Sequence, residues 1–112
     1  MDEVLSKQLL KKVERLDAFE ERFAMKFERI SINVDQNGYI GLFFEVHPIN
    51  GTTIENSFYV DIVLYDKEGY ILDKHTTVYR KESFFGFDVD RVYFNKATSD
   101  KIERIRIFPR NM

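Results

Sequence analysis

The sequence predicts a mainly β protein, an antiparallel β-sandwich of six or seven strands preceded by one N-terminal amphipathic α-helix. Three observations lead there. Runs of strict two-residue alternation fill most of the chain and are separated by turn signals at intervals of roughly 8 to 12 residues, the spacing of a sandwich or barrel rather than of βαβ units. The opening segment has no Gly or Pro and carries apolar residues at helical spacing. At 112 residues the chain has room for one hydrophobic core, so residues 1–112 read as a single domain, with a helix in 1–25 and the sandwich in 26–112.

The helix is expected from Asp2 to about Phe23. Leu5, Leu9, Val13, Leu16, Phe19 and Phe23 recur every three or four residues and form one stripe, with Lys7, Lys11, Glu14, Asp17 and Glu21 largely outside it. Through residue 30 seven basic residues balance seven acidic ones, which is unlike a basic membrane-surface helix and points the stripe toward a protein surface. That surface is either the chain's own sheet or a partner, and the six stripe residues are the candidate partner-binding set.

The period then becomes two. Ile30, Ile32 and Val34 alternate with Arg29, Ser31 and Asn33 up to Asp35-Gln36-Asn37-Gly38, a hairpin turn. Ile40, Leu42, Phe44 and Val46 make the second strand, stopped near Pro48 because proline lacks a ladder donor. Phe58, Val60, Ile62 and Leu64 form the inner face of the third, which ends at Asp66-Lys67-Glu68-Gly69. Tyr70 to Tyr79 is its hairpin partner, Phe84 to Phe94 a further strand or pair broken at Gly86, and Ile102 to Phe108 a closing strand before Pro109. Tyr39, Phe43, Val63 and Tyr65 fall on faces that ought to be wet, and this apolar surplus is expected to lie under the helix.

The stretch from Phe58 to Leu72 resembles the strand and turn of the FxLYD-type, immunoglobulin-like domains of prokaryotes, with Leu64, Tyr65, Asp66 and Gly69 in matching places. That resemblance implies an immunoglobulin-like sandwich with a general binding or interaction role, and it carries no catalytic residues.

Composition removes several classes of function. With no Cys there are no disulfides, thiolate metal sites or cysteine nucleophiles. A net charge of −2 provides no long-range attraction to nucleic acid or anionic membrane. The start Met1-Asp2-Glu3 is not an export signal and no apolar run is long enough to span a bilayer, so a cytoplasmic location is expected, without a membrane partner. His47 and His75 stand alone in sequence and read as solvated edge residues, with no metal or cofactor expected. Asp35-Gln36-Asn37-Gly38 starts like a calcium loop but has Val46 where the closing Glu belongs. Asp88 and Asp90, with Glu82 and Asp73, could only form an acid–base group if brought together, and their alternation with Phe87 and Val89 places them on a wet face. Among Lys101, Arg104, Arg106 and Arg110, the pair Arg104 and Arg106 shares one strand face and is the alternative ligand face, suited to a small ligand or single-stranded nucleic acid held by cations and stacked aromatics. The expected function is a non-enzymatic protein-interaction module acting on a protein partner or a second copy, through the helix or an aromatic sheet face.

Overall fold

A computed structural model describes residues 3–112, without the side chains of Lys96 and Ala97; the Asp2 end of the expected helix lies outside the described residues. Two sheets pack face to face. The first has strand order β1-β7-β4-β5, from β1 (Val13–Arg15), β7 (Arg104–Asn111), β4 (Phe58–Tyr65) and β5 (Ile71–Tyr79). The second has order β2-β3-β6, from β2 (Met25–Val34), β3 (Tyr39–Pro48) and β6 (Asp88–Asn95). All pairings are antiparallel except β1 with β7. The core between the sheets holds Phe27, Leu42, Phe44, Phe58, Ile62, Leu64, Ile105 and Ile107, all fully buried.

The single N-terminal helix is replaced by two short ones, α1 (Glu3–Leu10) and α2 (Asp17–Arg22), with β1 between them. Tertiary pairing overrides local propensity here. The Lys12 carbonyl accepts the Ile105 N–H at 3.0 Å, and Lys12 Nζ donates to the Ile102 carbonyl at 2.7 Å. The Lys12 carbonyl, which a continuous helix would have used internally, is thus spent on β7, and β1 goes on to pair with that strand. Ala24, at φ 52°, turns the chain out of α2.

The helices do not lie over a sheet face. They pack at the side of the sandwich, against β2 and β7, where Leu9 and Phe23 enter the core and the Phe23 ring meets Phe58 edge-on at 5.7 Å. Glu20 fixes this lid. Its carboxylate is 4% exposed, takes two bonds from the Arg15 guanidinium at 2.6 and 3.1 Å, and accepts the Phe27 N–H at 3.1 Å.

Two strand limits also differ from expectation. β2 begins at Met25, and a bulge between Glu28 and Ser31, with Arg29 at φ 51°, shifts its phase so that Met25 and Phe27 face inward before it and Ile32 and Val34 after it. β7 runs through Pro109 to Asn111. The Ile105 N–H points to β1, so Pro109 is in the same phase, and β1 has already ended opposite Ile107; the missing donor breaks no bond there.

Replacing Glu20 by Ala leaves the Phe27 N–H buried without a partner and frees Arg15. The expected loss is about 2 kcal/mol, read as a lower urea midpoint with unchanged slope.

Candidate functional site: the aromatic face of the three-stranded sheet

Alternation on β3 and β6 sends Leu42, Phe44, Val92 and Phe94 into the core and leaves Tyr39, Gly41, Phe43, Val89, Arg91 and Tyr93 on the outer face. Register brings Gly41 opposite Tyr93 and Phe43 opposite Arg91. Gly41 is the floor of the site: a methyl group there would come to 3.1 Å from Phe43 Cε1 and 3.2 Å from Tyr93 Cε1, so both rings fold over the bare backbone. Tyr39 packs edge-on against Tyr93 at 6.5 Å and the Arg91 guanidinium sits 5.1 Å from the Tyr93 ring centre. Tyr39 nevertheless stays 52% exposed, Tyr93 44% and Val89 61%. A hollow of about 260 Å³ opens between Asp35, Tyr39 and Tyr93.

The other end of this face is charged. His47 Nε2 lies 2.8 Å from Glu45 Oε1, its Nδ1 lies 3.5 Å from Glu28, and its ring stacks on Phe87 at 4.8 Å. Arg29 donates to Glu45 at 3.1 Å. The His47 hydrogen bond, with the Arg29 charge and bond, holds the Glu45 carboxyl below its ordinary pKa against the opposing effect of burial. His47 is therefore no solitary edge histidine; it stands on the middle strand of its sheet between two carboxylates.

The outer face of the four-stranded sheet is sealed differently. Asp61 is 1% exposed, and accepts bonds from Arg110 Nε at 2.6 Å and Thr76 Oγ1 at 2.8 Å, with Lys74 Nζ 3.8 Å away. Burial pushes its pKa up, but the Arg110 and Thr76 hydrogen bonds and the Arg110 and Lys74 charges outweigh that and leave it lowered. Arg110 also covers the Tyr59 ring at 4.6 Å. In the sequence Asp61 stood only on the wet side of its strand and Arg110 only among four C-terminal basic residues beyond the expected closing strand; what could have marked Asp61 is its place among Tyr59, Val63 and Tyr65, where a lone carboxylate needs a cation.

The sequence-derived candidates are dispersed. In the helix stripe, Leu9 and Phe23 are core, Leu5 and Val13 pack against the core, Leu16 is half-buried, and Phe19 meets Phe108 edge-on at 5.9 Å while remaining 46% exposed. No continuous stripe is left for a second chain. Arg104 and Arg106 do share a face, lining a hollow of about 280 Å³ with Tyr65, Asp66, Lys67 and Glu103. Arg106 is already engaged: its Nε donates to Glu14 at 2.5 Å and its guanidinium lies 5.1 Å from the Tyr65 ring centre. Asp88 and Asp90 are in phase with buried Val92 and Phe94, not with Val89 and Tyr93; Asp88, at the strand's start, is exposed as expected, while Asp90 is half-buried on the core side. Asp90 takes a short hydrogen bond from the Tyr79 hydroxyl. Burial and the Asp90 carboxylate raise the Tyr79 pKa, and burial and Asp90 likewise raise that of Asp88. His75 is half-buried and faces inward, 5.9 Å from the Phe94 ring.

The two Asp turns are structural twins. Asp35 accepts the N–H groups of Asn37 and Tyr39 at 2.9 and 3.0 Å, Asp66 accepts those of Glu68 and Tyr70 at 3.0 and 2.9 Å, and Gly38 and Gly69 share φ 87°. Among the described residues no three His, Asp or Glu groups converge to hold a metal ion, and no helix is long and apolar enough to cross a membrane. No family model, curated protein or solved structure matches the chain.

Because the Asp61 pKa is lowered in the fold, its contribution to stability is full above the unfolded carboxyl pKa of about 4 and is lost as pH falls through the lower folded value. Asp61→Asn is expected to reduce the urea midpoint at pH 7, with the gap to wild type closing on acidification; an unchanging gap would show that the charge plays no part.

Proposed function

We propose that the protein is a non-enzymatic interaction module that receives a protein partner on the outer face of β3 and β6. The observation that supports this most is the cluster of Phe43 and Tyr93 over Gly41 with Tyr39 beside them, the two tyrosine rings still exposed. Tyrosine and arginine side chains of this kind supply large contact areas at low entropic cost and recur as anchors of protein interfaces. The neighbouring Glu45, His47 and Arg29 supply a polar rim. The immunoglobulin-like arrangement implied by Leu64, Tyr65, Asp66 and Gly69 suits the same role, since a sandwich offers a rigid face on which to mount such a patch.

Binding of a small ligand or single-stranded nucleic acid at Arg104 and Arg106 has less support. Arg106 is neutralised by Glu14, and Asp66 and Glu103 share the hollow.

Panning a random peptide library on the wild-type protein, with a Tyr39→Ala/Tyr93→Ala variant as counter-target, tests the proposal. Enriched peptides are expected to bind the wild type at least about tenfold more tightly than the variant. Peptides indifferent to the two substitutions, or no enrichment, would overturn it; an unchanged circular-dichroism spectrum of the variant establishes that the fold is intact.

A further inference from the structure

The two sides of the sandwich differ. At one side α1 and α2 pack on β2. At the other, β5 and β6 are both terminal strands of their sheets. A terminal strand presents a row of backbone donors and acceptors with no neighbour, and proteins blunt such edges with charge or use them for assembly. β5 is blunted along its middle, where Lys74 and Thr76 point out and Asp73, His75 and Thr77 point in, with Ile71 and Val78 exposed only toward its ends. β6 carries Val89 and Tyr93 on its outer face, both substantially exposed.

We infer that two copies of the chain join antiparallel through the open edge of β6, in the register that places Val92 opposite Val92 of the second copy and Arg91 opposite its Tyr93. This reaches beyond the proposed peptide-binding role, since it concerns the strand edge rather than the face. The register follows from sequence and side-chain phase. Directly opposed residues of an antiparallel pair share a face, so pairing Asp88 with Asn95 is forbidden: it would set every outer residue against an inner one. The two longest remaining registers centre on Arg91 and on Val92. The first opposes Arg91 to Arg91, a like-charge contact across the strands. The second has no like-charge pair: Val89 faces Asn95, Asp90 faces Phe94, and each Arg91 faces a tyrosine ring of the second copy, as it already lies over its own Tyr93 at 5.1 Å. Asp90 enters this pairing with its carboxylate already held by the Tyr79 hydroxyl. The two-fold axis through Val92 closes the assembly at a dimer.

The absence of native Cys makes the register directly testable. Arg91→Cys and Tyr93→Cys chains are prepared separately, then oxidised alone and as a mixture. In the inferred register the mixture forms a disulfide-linked dimer, whereas like positions are displaced along the strands beyond the roughly 7 Å that a disulfide can span, so neither variant cross-links to itself. The unmodified chain is expected to sediment as a dimer in the micromolar to millimolar range. A monomer over that whole range overturns the inference, and self-linking of Arg91→Cys in place of the mixed product overturns the register. Peptide binding to the outer face is read separately with Tyr39→Ala alone, because Tyr39 lies on β3 and takes no part in the β6 pairing, whereas Tyr93 belongs to both.

Discussion

Apolar burial between two sheets stabilises the middle of a sandwich but cannot close its sides, and the rest of this structure follows from how each side is closed. The four-stranded sheet is wider than the three-stranded one at the end where β1 and β7 lie. The α1-β1-α2 segment fills that end, with Leu9 and Phe23 as the inserted groups and Glu20 as the polar anchor that makes their entry geometry unique. A buried carboxylate with three donors satisfies the demand that polar groups removed from water keep their partners. It also explains why so short a helix as α2 persists without a side-chain cap at Leu16.

On the outer faces two solutions to the same apolar surplus stand side by side. The four-stranded sheet covers its tyrosines with arginine stems and ties the arginines down through Asp61 and Glu14. The three-stranded sheet leaves its tyrosines open, with a glycine beneath them and a single arginine beside them. Similar residue types thus produce a closed surface on one side of the molecule and an open one on the other, and the difference is that Glu14 and Asp61 hold the arginines over Tyr65 and Tyr59.

The mainly β architecture, the inner faces of β3 and β4, and both Asp turns were legible because each rests on local signals: two-residue alternation and a glycine where φ must be positive. The α1-β1-α2 segment was not. Spacings of three and four residues at Leu5, Leu9, Val13, Leu16, Phe19 and Phe23 describe which residues turn inward, and a helix, strand and helix wrapped round an edge satisfies them as a continuous helix would. Met25 and Phe27 escaped because the bulge at Arg29 reverses the parity that Ile32 and Val34 display. Asp88 is exposed as its polarity suggests, but Asp90 was placed on the wrong side, because polarity usually marks the wet face, whereas a strand at an open side can turn a carboxylate inward where a hydroxyl such as that of Tyr79 donates to it. The aromatic face itself was visible as a surplus in Tyr39 and Phe43, but its partner Tyr93 was identifiable only through the register of β3 with β6.

The parallel pairing of Val13–Arg15 with Ile105–Ile107 has a kinetic meaning. Arg106 and Glu14, joined across this ladder, are 92 residues apart in the chain. Closing so long a loop costs entropy before any contact repays it. The hairpins β2-β3 and β4-β5 can form early from near neighbours, while the lid must wait for β7. The α1-β1-α2 segment is therefore synthesised well before the strand it pairs with, and until β7 arrives its apolar side chains have no sheet edge to cover.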